Sequence, residues 1–493
     1  MDPFQKIRID KESNEHMYMQ VYKSIVDLIK QGMIKSNEKL PPIRNLADLL
    51  GVNNITIVKA YDILEKRGYV YKKVGSGTFV NLIDCYEGFH ETIEGMDSGF
   101  DQMDRGQIQI HTDMISFSSA TPTPDLFPVE DFKTLLIEIL DRDGGSAFGY
   151  QESQGYYPLR ESLVSYLKQY GINTSSSHIQ IISGAQQGID VISKAFVEHG
   201  DVVIVEYPTY TGAIATLKSR GAKIIEVPIL PDGIDMGKLE EKIRAYKPKL
   251  IYTMPNFQNP TGYSYSNQKK DQLLRLAHKY NVLIVEDDYL SELDFNGYPT
   301  TTLKSMDTQD VSIYIKSFSK VFMPGLRLGF LVIPSKLHPQ VLAAKHASDI
   351  STSGLNQRAF DLYLRKGIWK RHIHFMKKVY EERFEIMTRC LNKYIIPLGV
   401  HCSIPQGGLN FWLCLPPGCS SLELYKKCEE NNLLILPGSI FSPYEKESPC
   451  FRLSIAGVYP NEIETGIKKM SEIISRMISG EDLLSKHPYF PIL

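Results

Sequence analysis

Apolar positions in the first eighty residues recur three or four apart, the spacing of one helix face, in three successive segments. After Gly68, residues 69–74 and 78–82 are rich in β-forming side chains and flank a glycine-rich tight turn, which predicts a hairpin. Asn53 or Asn54 is available to cap the third helix. The apolar helix positions are Val21, Ile25, Leu28 and Ile29, then Leu46, Leu49 and Leu50, then Ile57, Ala60, Tyr61 and Leu64.

From Ile115 onward, short β-branched runs alternate with helical patterns such as Ile189–Glu198 and Gln268–Tyr280. This alternation predicts an α/β fold with a mainly parallel, seven-stranded sheet covered by helices on both faces. Strand-like runs become fewer towards the end, which predicts a smaller C-terminal lobe over roughly 345–480. The seven predicted strands are Ile179–Ser183, Val202–Glu206, Ile224–Val227, Leu250–Thr253, Val282–Glu286, Ser312–Lys316 and Phe330–Ile333.

The composition changes between about Ile83 and Asp113, where glycines lie among Asp, Glu and Gln with few apolar residues and no clean period. We interpret this stretch as a linker, with an ordered arm lying on a partner surface as the alternative. The predicted organisation is an N-terminal domain over 1–82, a linker over 83–113, a large domain over 114–480 and a tail over 481–493.

Composition and charge are those of an ordinary globular protein, with 43% hydrophobic and 23% charged residues among 493. The length predicts at least two domains. The apolar runs are too short to span a bilayer and the N-terminus lacks an apolar signal core, so we expect a cytoplasmic protein without membrane contact. Residues 1–81 hold 13 Lys and Arg against 9 Asp and Glu, a balance compatible with nucleic-acid binding.

The seven cysteines are scattered, odd in number and free of any C-x-x-C pair. This distribution favours reduced thiols over a disulfide framework or a zinc site, and we expect no metal centre. The cysteines are Cys85, Cys390, Cys402, Cys414, Cys419, Cys428 and Cys450.

The order of helix, short helix, turn, helix and hairpin is that of a winged helix-turn-helix, whose third helix enters the DNA major groove. Residues 40–80 resemble the GntR-type winged helix at core, turn and wing positions together. The matching positions are Leu40-Pro41, Arg44, Leu46-Ala47, Leu50-Gly51-Val52, Thr56, Ala60-Tyr61, Leu64, Gly68 and the run from Gly75 to Val80.

The resemblance implies that double-stranded DNA is contacted by the second and third helices and by the wing. Arg44 is the best candidate for a base-edge contact. Relatives often carry arginine where this chain has Asn54, which can read adenine or bind a phosphate. Taken alone, Lys59 is better explained as a residue of a solvated helix face. The DNA-facing positions that the resemblance implies are Arg44, Asn54, Thr56, Lys59, Gly75, Ser76 and Gly77.

A second set of motifs follows in a fixed order along the large domain, and together they resemble the fold-type-I aminotransferases that use pyridoxal phosphate (PLP), over roughly residues 115–480. The central motif is Ser317-Phe318-Ser319-Lys320, followed by Pro324 to Gly329. The others are Gly155 to Arg160, Ser183 to Gly188, Glu206 to Tyr210, Asn259-Pro260-Thr261-Gly262, Glu286 to Tyr289, and Arg452 in Phe451-Arg452-Leu453.

The resemblance implies a catalytic set in which Lys320 forms a Schiff base with PLP and Asp287 pairs with the pyridinium nitrogen. Asn259 and Tyr289 would bind the ring oxygen, and Tyr210 would stack on the ring. The phosphate would lie on backbone N–H groups where a helix begins near Gln187. The implied phosphate contacts are Gly184, Ala185, Gln186, Ser317 and Arg327, with Tyr150 contributed by the other subunit of a dimer.

Arg452 matches the arginine that grips the carboxylate of an amino-acid ligand, and a structural ion pair is its alternative role. GABA-responsive relatives use a further arginine near the stacking aromatic residue. Tyr210-Thr211-Gly212 offers none, which argues against a GABA-type effector.

The two resemblances, in this order, are typical of the MocR subgroup of GntR-type regulators. They imply a DNA-binding transcription regulator that responds to PLP or to a PLP–amino acid adduct, often as a head-to-tail dimer. A working PLP-dependent aminotransferase with an accessory DNA-binding domain is the main alternative. A DNA-binding sensor that has lost PLP is a third.

Overall fold

The computed structural model describes residues 3–10, 16–30, 33–34, 38–66, 69–73, 77–80, 114–295, 300–444 and 447–479. The chain divides into two compact units, Met1–Ser98 and Gly99–Leu493. The predicted linker 83–113 and tail 481–493 lie outside the described residues. No helix of the described ranges is long and apolar enough to cross a membrane.

The small unit contains the three predicted helices and the hairpin. They are α1 (Met17–Lys30), α2 (Ile43–Leu50), α3 (Asn54–Lys66), β1 (Val70–Lys73) and β2 (Gly77–Val80), after a 3-10 turn at Pro3–Lys6. Gly51 leaves α2 at φ 61°, a left-handed conformation that glycine adopts without steric cost. The Asn53 side chain caps α3, because its Oδ1 accepts a hydrogen bond from the Ile55 N–H at 3.0 Å.

Apolar side chains from every one of these elements meet in a single core. The helix positions that the periodicity placed inward are buried, with the exception of Leu49, which is exposed, and Leu50, which is partly buried. The strands pair antiparallel, with Val70 opposite Val80 and Lys73 opposite Gly77. The buried core includes Val21, Ile25, Leu28, Ile29, Leu46, Ile57, Ala60, Tyr61, Leu64, Val70 and Val80.

The large unit is built on a sheet of eight strands in the order β4-β11-β10-β9-β8-β5-β6-β7. Strands β4 to β6 and β8 to β11 are the seven predicted ones, and β7 is a two-residue strand added by a hairpin, too short to give a sequence pattern. The pairing is parallel except at β7 and at β11, which runs antiparallel to both neighbours. The strands are β4 (Ile179–Ile182), β5 (Val202–Tyr207), β6 (Lys223–Leu230), β7 (Gly233–Ile234), β8 (Leu250–Thr253), β9 (Leu283–Asp288), β10 (Ser312–Ser317) and β11 (Gly329–Val332).

Two apolar cores flank this sheet because side chains of consecutive strand residues point to opposite faces. The helices of the unit are α4 (Val129–Asp143), α5 (Tyr157–Lys168), α6 (Ala185–Phe196), α7 (Thr211–Ser219), α8 (Met236–Tyr246), α9 (Asn267–Tyr280), α10 (Leu303–Met306), α11 (His338–Ser348), α12 (Gly354–Arg365), α13 (Ile368–Cys390), α14 (Ser421–Glu430) and α15 (Pro460–Ser479).

The C-terminal part of the unit has a smaller antiparallel sheet in the order β12-β13-β16-β15. Its strands are β12 (His401–Cys402), β13 (Asn410–Cys414), β15 (Leu436–Pro437) and β16 (Cys450–Ser454). A two-strand parallel ladder joins β14 (Leu433–Leu434) to β3 (Ile115–Ser116), so the start of the unit packs beside its end.

The expectation that all cysteines are reduced thiols is wrong for one pair. Cys414 and Cys450 form a disulfide, and the two residues lie directly opposite each other in the β13–β16 ladder. They are 36 residues apart in the chain, so only the strand register brings them together. Cys390, Cys402, Cys419 and Cys428 are free.

A compensated ionic cluster is buried against β9 and β10. The Lys316 ammonium lies 2.7 Å from Glu292 Oε2 and 3.3 Å from Asp288 Oδ2, and all three side chains are buried. The Tyr314 hydroxyl donates to Asp288 Oδ2 at 2.5 Å, and the Tyr166 hydroxyl donates to Glu292 Oε1 at 2.6 Å. Because each charge has partners, the cluster can exist away from water.

We expect Lys316→Met to lower the free energy of unfolding of the large unit by about 3–5 kcal/mol, because two buried carboxylates lose their counter-charge. Urea denaturation followed by fluorescence would measure the change. Lys194→Met is the control, since Lys194 pairs with Asp190 at the surface and such pairs contribute less than about 1 kcal/mol. Equal losses in the two variants would contradict the role given to the buried cluster.

Candidate functional site

The predicted cofactor residues of the large unit come from loops and strand ends at one edge of the sheet. Tyr210 follows β5, Asn259 follows β8, Asp287 lies near the end of β9 and Lys320 follows β10. The carboxyl ends of parallel strands share one edge, which is where ligands bind in open α/β sheets. Four residues that are distant in sequence therefore come to one place.

Asp287 has one carboxylate oxygen engaged and one buried without a partner. Its Oδ2 accepts a hydrogen bond from the Tyr252 hydroxyl at 2.6 Å, whereas its Oδ1 has no hydrogen-bond partner in the described structure. Burial raises the pKa of Asp287 to about 7, although the Tyr252 hydrogen bond lowers it. A proton donor placed at Oδ1 would complete this carboxylate.

Lys320 lies just beyond β10 in a partly buried position. Burial, together with the positive charges of Arg452 and Arg327, lowers the pKa of its ammonium to about 8. A lysine amine is a nucleophile only when neutral, so this environment suits it for attack on a carbonyl carbon near neutral pH.

Arg452 reaches the same site from β16 of the smaller sheet. Its Nη1 donates to Asn259 Oδ1 at 2.9 Å, and its Nη2 donates to the Ser118 carbonyl. No ion pair of Arg452 with a carboxylate is found among the described residues, and its Nε is buried without a hydrogen-bond partner. Burial lowers the pKa of Arg452 to about 10. An uncompensated buried guanidinium favours an anionic ligand over a structural ion pair.

Tyr289 is buried, and its hydroxyl is held from two sides. It donates to the Phe257 carbonyl at 2.7 Å and accepts from Asn410 Nδ2 at 2.9 Å. Asn410 Oδ1 is a further buried atom without a partner among the described residues. Asn410 was not predicted from the sequence, because nothing in its local pattern separates it from a strand residue of the core.

The backbone N–H groups predicted to bind the phosphate lie at the start of α6, which begins at Ala185 rather than near Gln187 as predicted. Backbone N–H groups in the first turn of a helix have no intrahelical acceptor, which suits them to an anion. Gly184 precedes them at φ 97°, and a Cβ built there would lie 2.9 Å from Arg327 Nη2. Arg327 Nη2 also donates to the Ser183 carbonyl at 2.7 Å.

Ser317, Gln186 and Tyr150 are the remaining predicted residues of the cofactor set. Ser317 is buried at the end of β10, and the Tyr210 hydroxyl donates to Gln186 Oε1 at 3.2 Å. A Cβ at Gly212 would lie 2.2 Å from that Gln186 oxygen, so no side chain fits there without a shift. Tyr150 is 84% exposed, whereas Ser317 is buried and Tyr210 is partly buried.

Most of the predicted DNA-facing residues that the structure describes lie on the surface of the small unit. Arg44 on α2 and Asn54 on α3 are exposed, and Thr56 is partly buried. Lys59 is exposed, with its ammonium 5.6 Å from the centre of the Tyr18 ring. Gly77 begins β2 at φ 117°, whereas Gly75 and Ser76 lie outside the described residues.

The exposed face of α3 also contains apolar side chains that the sequence analysis did not single out. Ile55 is 63% exposed, and Val58 is exposed as well. The sequence could have indicated this, because Ile55 and Val58 are apolar but do not belong to the inward-facing positions of α3. Apolar side chains on a groove-facing helix can contact thymine methyl groups.

The fold and the site define the class of this protein. Residues 112–470 match the family model described as aminotransferase class I and II, and residues 17–80 match the bacterial regulatory proteins of the gntR family. The chain belongs to the aminotransferase class I and II family and has an N-terminal GntR helix-turn-helix domain. The predicted MocR-like architecture is confirmed.

Relatives of both kinds are found. An aromatic-amino-acid aminotransferase of Thermococcus litoralis is 31% identical over 74% of this chain and 88% of its own length. The HTH-type transcriptional regulator YisV of Bacillus subtilis is 28% identical over 95% of this chain and 98% of its own. YdcR of Escherichia coli, also an HTH-type transcriptional regulator, is 29% identical over 94% and 99%.

Solved structures resemble the large unit. Kynurenine aminotransferase of Pyrococcus horikoshii, solved with PMP, is 30% identical with a TM-score of 0.74, covering 81% of this chain and all of that one. LysN of Thermus thermophilus, solved with N-(5'-phosphopyridoxyl)-L-leucine, is 28% identical with a TM-score of 0.74, covering 80% of this chain and all of that one.

The family is PLP-dependent, and the residues of this chain fit that cofactor. PLP supplies an aldehyde and an electron-withdrawing ring when it is bound. The unpartnered Asp287 Oδ1 suits a protonated ring nitrogen. The backbone N–H groups at the start of α6, with Arg327 packed against Gly184, suit a phosphate. Lys320 offers the amine that would hold the aldehyde carbon.

We expect the Lys320 ammonium to lose its proton around pH 8, so the reactive neutral amine predominates above that pH. In Arg452→Met the pKa of Lys320 should rise, because one neighbouring positive charge is removed. Reductive methylation of PLP-free protein across a pH series, with the Lys320 peptide quantified by mass spectrometry, would give both midpoints.

Arg389→Met is the control for this measurement, because Arg389 lies on α13 in a surface groove with Glu464 and Lys468. It should leave the Lys320 midpoint unchanged. The interpretation would be wrong if the midpoint of the unaltered protein lay at the usual lysine value, or if Arg452→Met left it in place.

Proposed function

We propose that this protein is a transcription regulator that binds operator DNA through its winged helix-turn-helix and responds to PLP, or to a PLP–amino acid adduct, bound in its large unit. The regulator acts in the cytoplasm as a homodimer. The amino acid is held by Arg452, and the bound state of the large unit alters the DNA affinity of the small one.

The observation that carries this proposal is how much of this chain each kind of relative covers. Those that align over almost the whole chain are HTH-type transcriptional regulators, with 94–95% of this chain covered for three of them. The aminotransferase relatives cover 74% of it. The fused architecture, rather than the large unit alone, therefore argues for regulation.

The small unit supports DNA binding through its surface. Arg44 stands exposed on α2, and α3 presents Asn54 and Lys59 to solvent. Arg44 reads a base edge, while the α3 and wing residues fix the register on the phosphates. Thr56, Gly75, Ser76 and Gly77 complete the proposed contact set.

The proposed PLP-binding residues of the large unit have five distinct roles. Lys320 attaches PLP covalently and Asp287 keeps its ring nitrogen protonated. Asn259 and Tyr289 bind the ring oxygen, while Tyr210 stacks on the ring. The backbone N–H groups of Gly184, Ala185 and Gln186 would hold the PLP phosphate, together with Ser317 and Arg327.

A second subunit completes the site. Tyr150 is 84% exposed and so is free to extend towards a partner's phosphate cradle. The predicted linker over 83–113 gives enough chain for one subunit's small unit to reach over the other's large unit, since extended chain rises about 3.3 Å per residue. A head-to-tail dimer is therefore the proposed assembly.

A PLP-dependent aminotransferase is the second candidate, and a specific observation favours it. Lys320, Asp287 and Arg452 are all present, and the first two have pKa values shifted towards neutrality. Such shifts suit acid–base and nucleophilic chemistry. Steady turnover of an amino acid with a keto acid, at about 1–1000 per second, would make catalysis the main function.

Titration of the purified protein onto the DNA upstream of its own gene, with and without PLP, tests the proposal. We expect sequence-selective binding that PLP changes. Arg44→Ala should weaken it by about 1–3 kcal/mol, because a base-edge contact is lost. Electrophoretic mobility shift or fluorescence anisotropy at fixed salt would give the dissociation constants.

Lys23→Ala is the matched variant, because it removes another exposed cation of the same unit, on α1. It should weaken specific and random DNA to the same small extent. Weak, salt-sensitive binding with no preference over random DNA would remove the regulator proposal and put the aminotransferase first.

A further inference from the structure

The central strands of the large sheet contain two tyrosine–carboxylate pairs with the same geometry. Tyr252 on β8 lies opposite Val285 of β9, and its hydroxyl reaches two residues further to Asp287. Tyr314 on β10 lies opposite Glu286, and its hydroxyl reaches two residues further to Asp288. A diagonal reach of this kind lies within the range of a long aromatic side chain.

The two pairs serve opposite faces of the sheet, because consecutive residues of β9 alternate between its faces. Asp288 turns to the buried cluster with Lys316, where the Ser291 hydroxyl also donates to it. Asp287 turns to the candidate cofactor site with one oxygen on Tyr252 and the other unpartnered. In the Tyr314–Asp288 pair the carboxylate has its partners within the cluster, whereas in the Tyr252–Asp287 pair one carboxylate oxygen remains without a partner.

We propose that Tyr252 is a positioning residue that fixes the Asp287 carboxylate, so that Oδ1 alone faces the ring nitrogen of PLP. The Tyr252 hydroxyl occupies Oδ2 at 2.6 Å, and both side chains are nearly inaccessible, at 1% and 2% exposure. A carboxylate with two free oxygens could rotate about its last bond and present either one. The hydroxyl prevents that rotation because its proton must be satisfied in a buried site.

The Tyr252 hydrogen bond also acts on the charge of Asp287. It lowers the pKa of that carboxyl, against the larger effect of burial, which raises it. A carboxylate that stays ionised holds a proton on the ring nitrogen. The Tyr252 hydroxyl therefore both orients the Asp287 carboxylate and favours its ionised form. Tyr252 itself touches no reacting atom. This inference rests on the role proposed for Asp287 above.

Tyr252→Phe tests the inference, with Tyr314→Phe as the matched control, because each variant removes one buried hydroxyl–carboxylate bond and keeps the ring. PLP is titrated into the PLP-free full-length protein, and the dissociation constant is read from the change in absorbance. We expect Tyr252→Phe to weaken PLP binding by about tenfold or more, the effect of one lost charge-assisted hydrogen bond. Tyr314→Phe should leave PLP affinity within about twofold.

A PLP analogue with carbon in place of the ring nitrogen separates positioning from general loss of structure. Unaltered protein and Tyr252→Phe should bind that analogue equally, because the contact served by Asp287 Oδ1 no longer exists. Equal weakening of PLP and the analogue by Tyr252→Phe would mean a merely structural role and would overturn the inference.

Asp287→Asn shows which of the two proposals has failed. Full PLP affinity in Tyr252→Phe, with a large loss in Asp287→Asn, would overturn the role of Tyr252 and leave that of Asp287. Full affinity in both variants would overturn the role of Asp287, and with it that of Tyr252.

Discussion

The parallel register of β8, β9 and β10 is the constraint on which the chemistry of the large unit depends. Consecutive residues of β9 face opposite sides, so Glu286, Asp287 and Asp288 are three neighbouring acids in two environments. A slip of one residue that brought Asp288 to the position of Asp287 would move Asp287 to the position of Glu286, on the opposite face of the sheet. Such a slip would expose buried apolar residues on both faces and so cost free energy. The register therefore keeps Asp287 at the site.

The two sides of the sheet deal with buried charge differently. On one side, Lys316 pairs with both Asp288 and Glu292, and hydroxyl groups complete the hydrogen bonds of the two carboxylates. On the other, Asp287 and Arg452 each retain a buried polar atom without a partner. Compensated charge contributes to a unique fold, whereas uncompensated charge costs stability unless a ligand arrives. This imbalance supports the proposed PLP site on the second side.

The small and large units have surfaces that suit different kinds of ligand. The small unit presents exposed cationic and polar groups on short helices, which suit a polyanionic duplex. The large unit brings buried groups such as Asp287, Tyr289 and Arg452 to one sheet edge, which suits a small ligand. Joining them in one chain allows ligand occupancy to be read as DNA affinity, and relatives that align over nearly all of the chain share that fusion.

The sequence by itself determined the helices of the small unit, the seven principal strands and both families of motifs. Those features are local, because periodicity and short motifs depend on neighbours along the chain. The tertiary structure decided the rest. It brought Arg452 to Asn259, placed Tyr252 on Asp287 and Asn410 on Tyr289, and set Cys414 against Cys450, where reduced thiols had been predicted. These pairs are separated by tens to hundreds of residues, and only strand register and the packing of the smaller sheet bring them into contact.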